Sequence, residues 1–363
     1  MMPKIISIGE AVPPFVHRQE EVMRFAQDLF SSSFKDFGRL LNAFKNGEIE
    51  KRHFVKEMDW YKENRSLEEK NNTYIHAAVE LGIKAINECL KNKFFLHKGI
   101  SYKEIEAIFF ISTTGLATPS IDARIMNELQ FRSNTKRIPI WGLGCAGGVS
   151  GLARAAEYCI AFPKAMVLVL SVELCSLTFQ KDDHSKSNLI GTTLFGDGAG
   201  CVLVCGDEVD CEIYQRKTIP SIVAVQSKLM RDSLNVMGWN IKNAGLFVVF
   251  SRDIPQIIKE WLKPNVLQLL EENKVKFEQI QYFIAHPGGK KVLDAYENSL
   301  GFHSSMTRLS LEVLKQFGNM SSATVFFVLK KHMELEIKDG EYGLCAALGP
   351  GFSSELLLMR WVS

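Results

Sequence analysis

The chain has 363 residues, 46% apolar and 23% charged, with a formal net charge of +2. That length accommodates two domains or one duplicated fold with a large core. The near-neutral balance gives nucleic-acid binding no compositional support, and no apolar run reaches the ~18 residues of a membrane span.

The N-terminal MMPKIISIGEAVP is too short in its apolar part for a signal peptide and reads as a first strand. Eight cysteines in so long a chain are not a disulfide framework. The spacing Cys201, Cys205, Cys211, with no histidine nearby in sequence, is not a zinc pattern, so no metal site is expected. Reduced thiols in a cytoplasmic protein are the expectation.

Lys4 to Ile8 predicts a short strand ending in Gly9, and Glu20 to Phe30 a helix. Asp36 to Glu57 is charged and mixed, with Arg39, Lys45, Lys51, Arg52 and His53. Such a run is a solvated helix face or a landing site for an anionic ligand such as a nucleotide phosphate. Tyr74 to Leu90 carries apolar residues at helical spacing and predicts a buried helix. IEAIFFIS, Ile105 to Ser112, is a continuous apolar run of strand length, as in a strand covered on both faces. It ends in the polar loop TTGLATPS, and Ile121 to Leu129 predicts a helix.

Trp141 to Ser150, WGLGCAGGVS, follows the apolar run Ile138 to Trp141 and precedes the helical run Val149 to Ile160. The pattern is strand, tight turn, helix. It places Cys145 at a helix N-terminus, where free N–H groups favour a thiolate. Glycines on either side permit a sharp turn and close approach of a substrate. A strand over Ala165 to Val172, the segment Cys175 to Phe179, a charged loop over Gln180 to Ser187 and a glycine turn feeding a strand over Phe195 to Cys205 complete a first half, residues 1–212.

The second half, residues 213–363, repeats the order. Val223 to Gln226 predicts a weak strand, Leu246 to Phe250 a strand and Asp253 to Glu272 a long helix. Gln281 to Ala285 is an apolar strand ending in HPGG. FGNMSS then opens a helix over Ala323 to Leu335, followed by strands over Tyr342 to Leu348 and Glu355 to Trp361. Asn319 thus stands where Cys145 stands in the first half, and His286 projects from a neighbouring strand end. The three side chains are expected to converge where the halves meet.

Cysteine, histidine and asparagine together suit acyl transfer. Cys145 would be the thioester-forming nucleophile, and His286 would stabilise its thiolate. Asn319 and His286 would donate hydrogen bonds to an enolate oxygen, favouring decarboxylation and Claisen condensation over hydrolysis. A cysteine protease or amidase is the other chemistry open to such a trio. The duplicated layout and the lack of a papain-like cysteine signature argue against it.

WGLGCAGGVSGLARA, LFGDGAG, AHPGG, FGNMSSAT and LGPGF stand in the order found in type III polyketide synthases, the chalcone synthase-like enzymes of the thiolase superfamily, which this chain resembles over nearly its whole length. The resemblance implies an α/β, duplicated, thiolase-like αβαβα five-layer fold and a homodimer. It implies acyl-CoA and malonyl-CoA as substrates, no cofactor beyond these coenzyme A thioesters, and Cys145, His286 and Asn319 as catalytic residues. Phe195 matches an aromatic gatekeeper, Val248 the place of a second gatekeeper phenylalanine, and Trp239 a position that is glycine in the plant enzymes. Ala347 replaces a glycine of the last loop. Thr114, Thr118, Cys175 and Ser321 match further cavity positions. Cys175, at a threonine position of the plant enzymes, resembles bacterial alkylpyrone-forming members with a side tunnel for a fatty acyl chain. Arg39, Lys45, Lys290 and Lys291 are the candidates for the CoA phosphates.

The function so implied is condensation of a long-chain acyl-CoA with malonyl-CoA to alkylpyrones. An alkylresorcinol synthase or a different starter is the alternative within the family, and a ketoacyl-ACP synthase III the alternative within the superfamily.

Overall fold

The computed structural model describes residues 2–31, 42, 44–210, 216 and 218–363. The first half runs β1 (Lys4–Ala11), β2 (Phe15–Arg18), α1 (Gln19–Phe30), β3 (Lys51–Phe54), α2 (Leu67–Lys91), β4 (Ile105–Ile111), α3 (Ile121–Glu128), β5 (Lys136–Ile140), α4 (Gly147–Ala161), β6 (Met166–Leu174), α5 (Lys186–Leu194) and β7 (Asp197–Cys205). The second runs β8 (Ile219–Leu229), β9 (Met237–Lys242), β10 (Gly245–Phe250), α6 (Ile254–Glu272), β11 (Ile280–Ala285), α7 (Lys290–Leu300), α8 (Arg308–Phe317), α9 (Thr324–Met333), β12 (Tyr342–Gly349) and β13 (Ser353–Val362). The expected division between residues 212 and 213 falls outside the described residues.

The duplication is written in the sheet. Strand order is β5-β4-β6-β7-β1 in the first half and β11-β12-β13-β8 in the second, joined where Lys4 pairs with Ser221. The parallel pair β4–β6 corresponds to β11–β12, and the antiparallel steps β6–β7–β1 correspond to β12–β13–β8. No counterpart of β5 is present among the described residues of the second half.

Helix α4 packs on β4, β6 and β7 and also on β8, β12 and β13, so it lies between the two halves of the sheet. Helix α9 packs beside it and touches β1, β7 and β11. Outside, α2 covers β1, β6 and β7, while α6 covers β8 and β13. These are the five layers αβαβα.

The glycines of GGVSG set the spacing of the middle layer. A Cβ on Gly148 would lie 2.3 Å from the Ser322 carbonyl at the start of α9, and Cβ atoms on Gly147 and Gly151 would each lie 2.7 Å from the Ile111 side chain. Helix meets helix on one glycine and sheet on the other two.

The strands IEAIFFI and MVLVLSVEL are almost wholly buried, as unbroken apolar runs in a two-sided sheet are. Helix α2 starts earlier than its periodicity suggests because Ser66 and Glu69 form a reciprocal cap: the Glu69 N–H donates to Ser66 Oγ at 3.1 Å, and the Ser66 N–H to Glu69 Oε2 at 2.9 Å.

Several elements differ from the sequence reading, among them β3, a strand inside the charged run Asp36 to Glu57. The weak strand at Val223 to Gln226 is the 11-residue β8, which pairs with β13 along its length and touches β1. Pro220 near its start disguises it. The charged loop gives way at Lys186 to α5, capped by Ser185 Oγ, which accepts from the Asn188 N–H at 3.1 Å. Trp239 and Val248 lie opposite one another on the hairpin β9–β10, which pairs with no other strand among the described residues.

Candidate active site

After β5 the chain turns through Gly142 (φ +93) and Gly144 (φ +47), left-handed conformations that glycine adopts without strain. A Cβ on Gly144 would also lie 2.7 Å from Pro350. Cys145 is therefore delivered, half-buried, immediately before α4. The turn rests on the end of β12, where a Cβ on Gly349 would lie 2.6 Å from that of Ala146.

His286 follows the last residue of β11, with its N–H on the Ala346 carbonyl of β12 at 2.9 Å. Asn319 comes from the turn before α9. Gly318 (φ +69) and Ser321 (φ +47) bend that turn, and the Ser321 N–H donates to Asn319 Oδ1 at 2.8 Å. Cys145 Sγ donates to the same oxygen at 3.9 Å, and Asn319 Nδ2 reaches the carbonyl of Gly288 at 3.4 Å. Asn319 thus links the Cys145 turn to the HPGG turn. With Oδ1 occupied, its N–H donors are the free face of the amide, held only by that one long bond.

Both ring nitrogens of His286 are buried, with no hydrogen-bond partner among the described residues. Burial alone lowers its imidazole to about 3. Burial, set against contacts from Ser321 and Asn319, pushes the Cys145 thiol up to about 11. The sequence expectation of a lowered thiol is therefore not met by Cys145 standing alone. These values measure the cost of a single charge on either group.

A buried carboxylate completes the floor of the site. Glu173, at the end of β6, accepts from the Thr113 N–H at 3.0 Å, from Thr114 Oγ1 at 2.8 Å and from Ser322 Oγ. Burial raises its pKa. The residue was not singled out in the sequence, although a lone acid inside AMVLVLSVEL is itself a signal. Thr114, predicted at the cavity, is committed to Glu173 and to the Leu174 N–H at 2.9 Å. Thr118 is exposed on its loop and is not brought to Cys145 within this chain.

Phe195, Cys175 and Val248 do meet. They line one small apolar pocket together with Val22, Phe25, Phe54 and Phe179. The Phe195 ring lies 5.9 Å from Trp239 and 5.8 Å from Phe250. Ser321 is buried behind Asn319, and Ala347 is buried in β12.

Arg39 lies outside the described residues. Lys45 is exposed and lines an open cleft with Arg18, Gln19, Lys51 and Gln316. Lys290 is paired with Asp294, while Lys291 is exposed. Arg52, from the same basic run, is wholly buried, donating to the carbonyls of Thr192 at 2.7 Å and Phe195 at 3.0 Å. It braces the turn at Phe195 and is not exposed to a phosphate.

The chain matches the family models for chalcone and stilbene synthases, the N-terminal domain over residues 2–208 and the C-terminal domain over residues 221–363. A Bacillus subtilis (strain 168) protein named "Putative chalcone synthase" is 54% identical, with 98% of each chain covered. The 1,3,6,8-tetrahydroxynaphthalene synthase of Streptomyces peucetius subsp. caesius is 31% identical over 98% of this chain and 93% of its own. The crystal structure of 1,3,6,8-tetrahydroxynaphthalene synthase from Streptomyces coelicolor A3(2), a bacterial type III polyketide synthase, superposes with a TM-score of 0.91 at 26% identity, covering 99% of both chains. With the duplicated five-layer fold and the Cys145–Asn319 contact, these matches place the chain in the chalcone and stilbene synthase family as a type III polyketide synthase, an acyl-transferring condensing enzyme.

Proposed function

We propose that this enzyme loads a long-chain fatty acyl group from coenzyme A onto Cys145, extends it with malonyl-CoA and releases triketide or tetraketide alkylpyrones by lactonisation. The apolar cavity behind Cys175 and Phe195 carries this reading, since its walls are Val22, Phe25, Phe54, Met58 and Phe179. Each methylene buried against such walls contributes about 0.8 kcal/mol, so a tunnel opened along them favours a long chain over a short one.

Cys145 attacks the acyl-CoA carbonyl as its proton passes to His286, and the CoA thiol leaves with that proton. Malonyl-CoA then loses carbon dioxide. The enolate oxygen so formed receives hydrogen bonds from the His286 ring and from Asn319 Nδ2. The enolate carbon attacks the acyl-cysteine carbonyl, and the Cys145 sulfur leaves. Asn319 suits the donor role because the Ser321 N–H occupies its oxygen. Arg18, Lys45 and Lys51 around the open cleft supply positive charge for the CoA phosphates, with exposed Lys291 a further cation.

The chain acts as a homodimer in this reading. Strand β5 is a sheet edge, with exposed Trp141 just beyond it and exposed Leu116 nearby. The described cysteines are all free, in keeping with a cytoplasmic location. No helix among the described residues is long and apolar enough to cross a membrane.

The similarity to tetrahydroxynaphthalene synthases supports a second reading, in which the starter is not a long-chain acyl group. Cys175→Phe separates the two. It fills the cavity and is expected to cut use of a hexadecanoyl starter by about tenfold or more relative to a hexanoyl starter. Equal use of both by the variant removes the acyl chain from this cavity.

A further inference from the structure

The hairpin β9–β10 carries Trp239, Val248 and Phe250 to the Phe195 gate, yet it belongs to neither half of the main sheet. No ladder fixes its distance from the cavity. Its base is closed by the Ser251 N–H on the Val236 carbonyl at 2.8 Å, and Val236, Met237 and Phe250 join the second-half core there. Its tip, Ala244 to Leu246, is held differently.

Lys70, inside α2, is buried and reaches across to that tip. Its ammonium donates to the Phe179 carbonyl at 2.9 Å, to Gln180 Oε1 at 2.9 Å and to the Ala244 carbonyl at 3.3 Å. Gln180 Nε2 donates in turn to the Leu246 carbonyl at 3.1 Å and to the Thr178 carbonyl at 3.1 Å. A Cβ on Gly245 would lie 2.4 Å from Gln180 Nε2, so the tip is pressed against this amide. Asn188 fixes Gln180 from behind, donating to its carbonyl at 2.7 Å. An ammonium has three protons, and here three acceptors from two separate segments receive them.

We propose that Lys70, acting through Gln180, is a positioning residue for product length. It pins the hairpin tip to the segment that follows Cys175, and so fixes how far Trp239 and Val248 stand from Phe195. The tie joins two walls of one cavity, since Thr178, Phe179 and Val248 all line it. Burial lowers the Lys70 ammonium to about 8, against attraction from Asp182 and Glu69, so it remains mostly charged at neutral pH. The inference rests on the reading of that cavity as the place where the polyketide grows. The decarboxylating groups lie on other elements, so freeing the tip widens the cavity without disturbing Asn319.

The test uses full-length Lys70→Met, Lys70→Arg and Gln180→Leu enzymes with hexadecanoyl-CoA and malonyl-CoA. Hydrogen exchange of the hairpin amides is expected to quicken about tenfold in Lys70→Met and Gln180→Leu. The ratio of products one malonyl unit longer to the wild-type product is expected to rise about fivefold, with malonyl decarboxylation within about twofold of wild type. Lys70→Arg, which keeps the charge and donors, is expected to restore the ratio. A role confined to stability would lower decarboxylation and condensation together and leave the ratio unmoved. That outcome, or an unmoved ratio with a freed hairpin, overturns the proposal. If Lys70→Met does not fold, Gln180→Leu carries the test alone. If wild type makes no product from hexadecanoyl-CoA, the starter assignment fails, and the ratio is read on products from malonyl-CoA alone.

Discussion

Phe195 and Asn319 are joined through their main chains. They form a short parallel bridge, in which the Asn319 N–H donates to the Leu194 carbonyl at 2.8 Å and the Gly196 N–H to the Asn319 carbonyl at 3.0 Å. The Phe195 ring at the pocket and the amide beside Cys145 are thus tied through one bridge, although 124 positions separate them in sequence. Arg52 lies beneath both. It donates to the Phe195 carbonyl at 3.0 Å, and its Cδ lies 2.8 Å from where a Cβ on Gly318 would be.

Gly318→Ala tests that unit. Its Cβ would meet the Leu194 carbonyl at 2.7 Å at a residue with φ +69, so the bridge must shift. Malonyl decarboxylation is expected to fall about tenfold or more, since small displacements of a positioned donor are costly. Asn319→Ala, which removes the donor, is expected to cost about 100-fold or more. Both variants are expected to retain acyl loading of Cys145, followed by mass spectrometry of the intact protein. Unchanged decarboxylation in Asn319→Ala removes the amide from the chemistry.

Alkylation by iodoacetamide reads the Cys145–His286 pair. Burial raises the lone thiol to about 11, so without a proton acceptor it is protonated at neutral pH, and its thiolate grows tenfold per pH unit below that value. His286→Gln is therefore expected to slow alkylation at pH 7 by about tenfold or more and to make the rate climb steeply with pH. The same rate with and without His286 would show that the imidazole does not activate the thiol.

Stability should record Glu10. Burial raises its carboxyl from 4.5 to about 7, against attraction from Lys330 at 2.9 Å. The folded chain then holds this proton more tightly than the unfolded chain. Its contribution is fully present below about 4.5 and is lost as pH rises through about 7. Glu10→Gln is expected to flatten the decline in Tm between pH 5 and pH 7. Asp197, also raised to about 7 by burial, leaves part of that slope in place. A Tm–pH slope identical to wild type contradicts the assignment.

Much of this was legible in the sequence for physical reasons. Continuous apolar runs mark β4 and β6, and the helix-opening turns around Cys145 and Asn319 are marked by glycines that the backbone needs. The pairing of Cys145 with Asn319 was legible because the halves repeat. Residues that act through distant main chain were not legible. Arg52 looked like one more cation in a basic run, and its burial follows from carbonyls 140 and 143 positions away. Lys70 sits in an ordinary polar helix start, and its role depends on a hairpin tip 174 positions away. Thr118 matched by spacing, but its loop leaves it exposed in the single chain.

The most direct measurement is product mass after incubating the enzyme with malonyl-CoA and acyl-CoAs from short to long, beside Cys145→Ala. The account predicts pyrones whose mass contains the supplied acyl group plus two or three malonyl-derived units, in highest yield from long chains, and none from Cys145→Ala. Products containing malonyl units alone, whatever acyl-CoA is supplied, would contradict it.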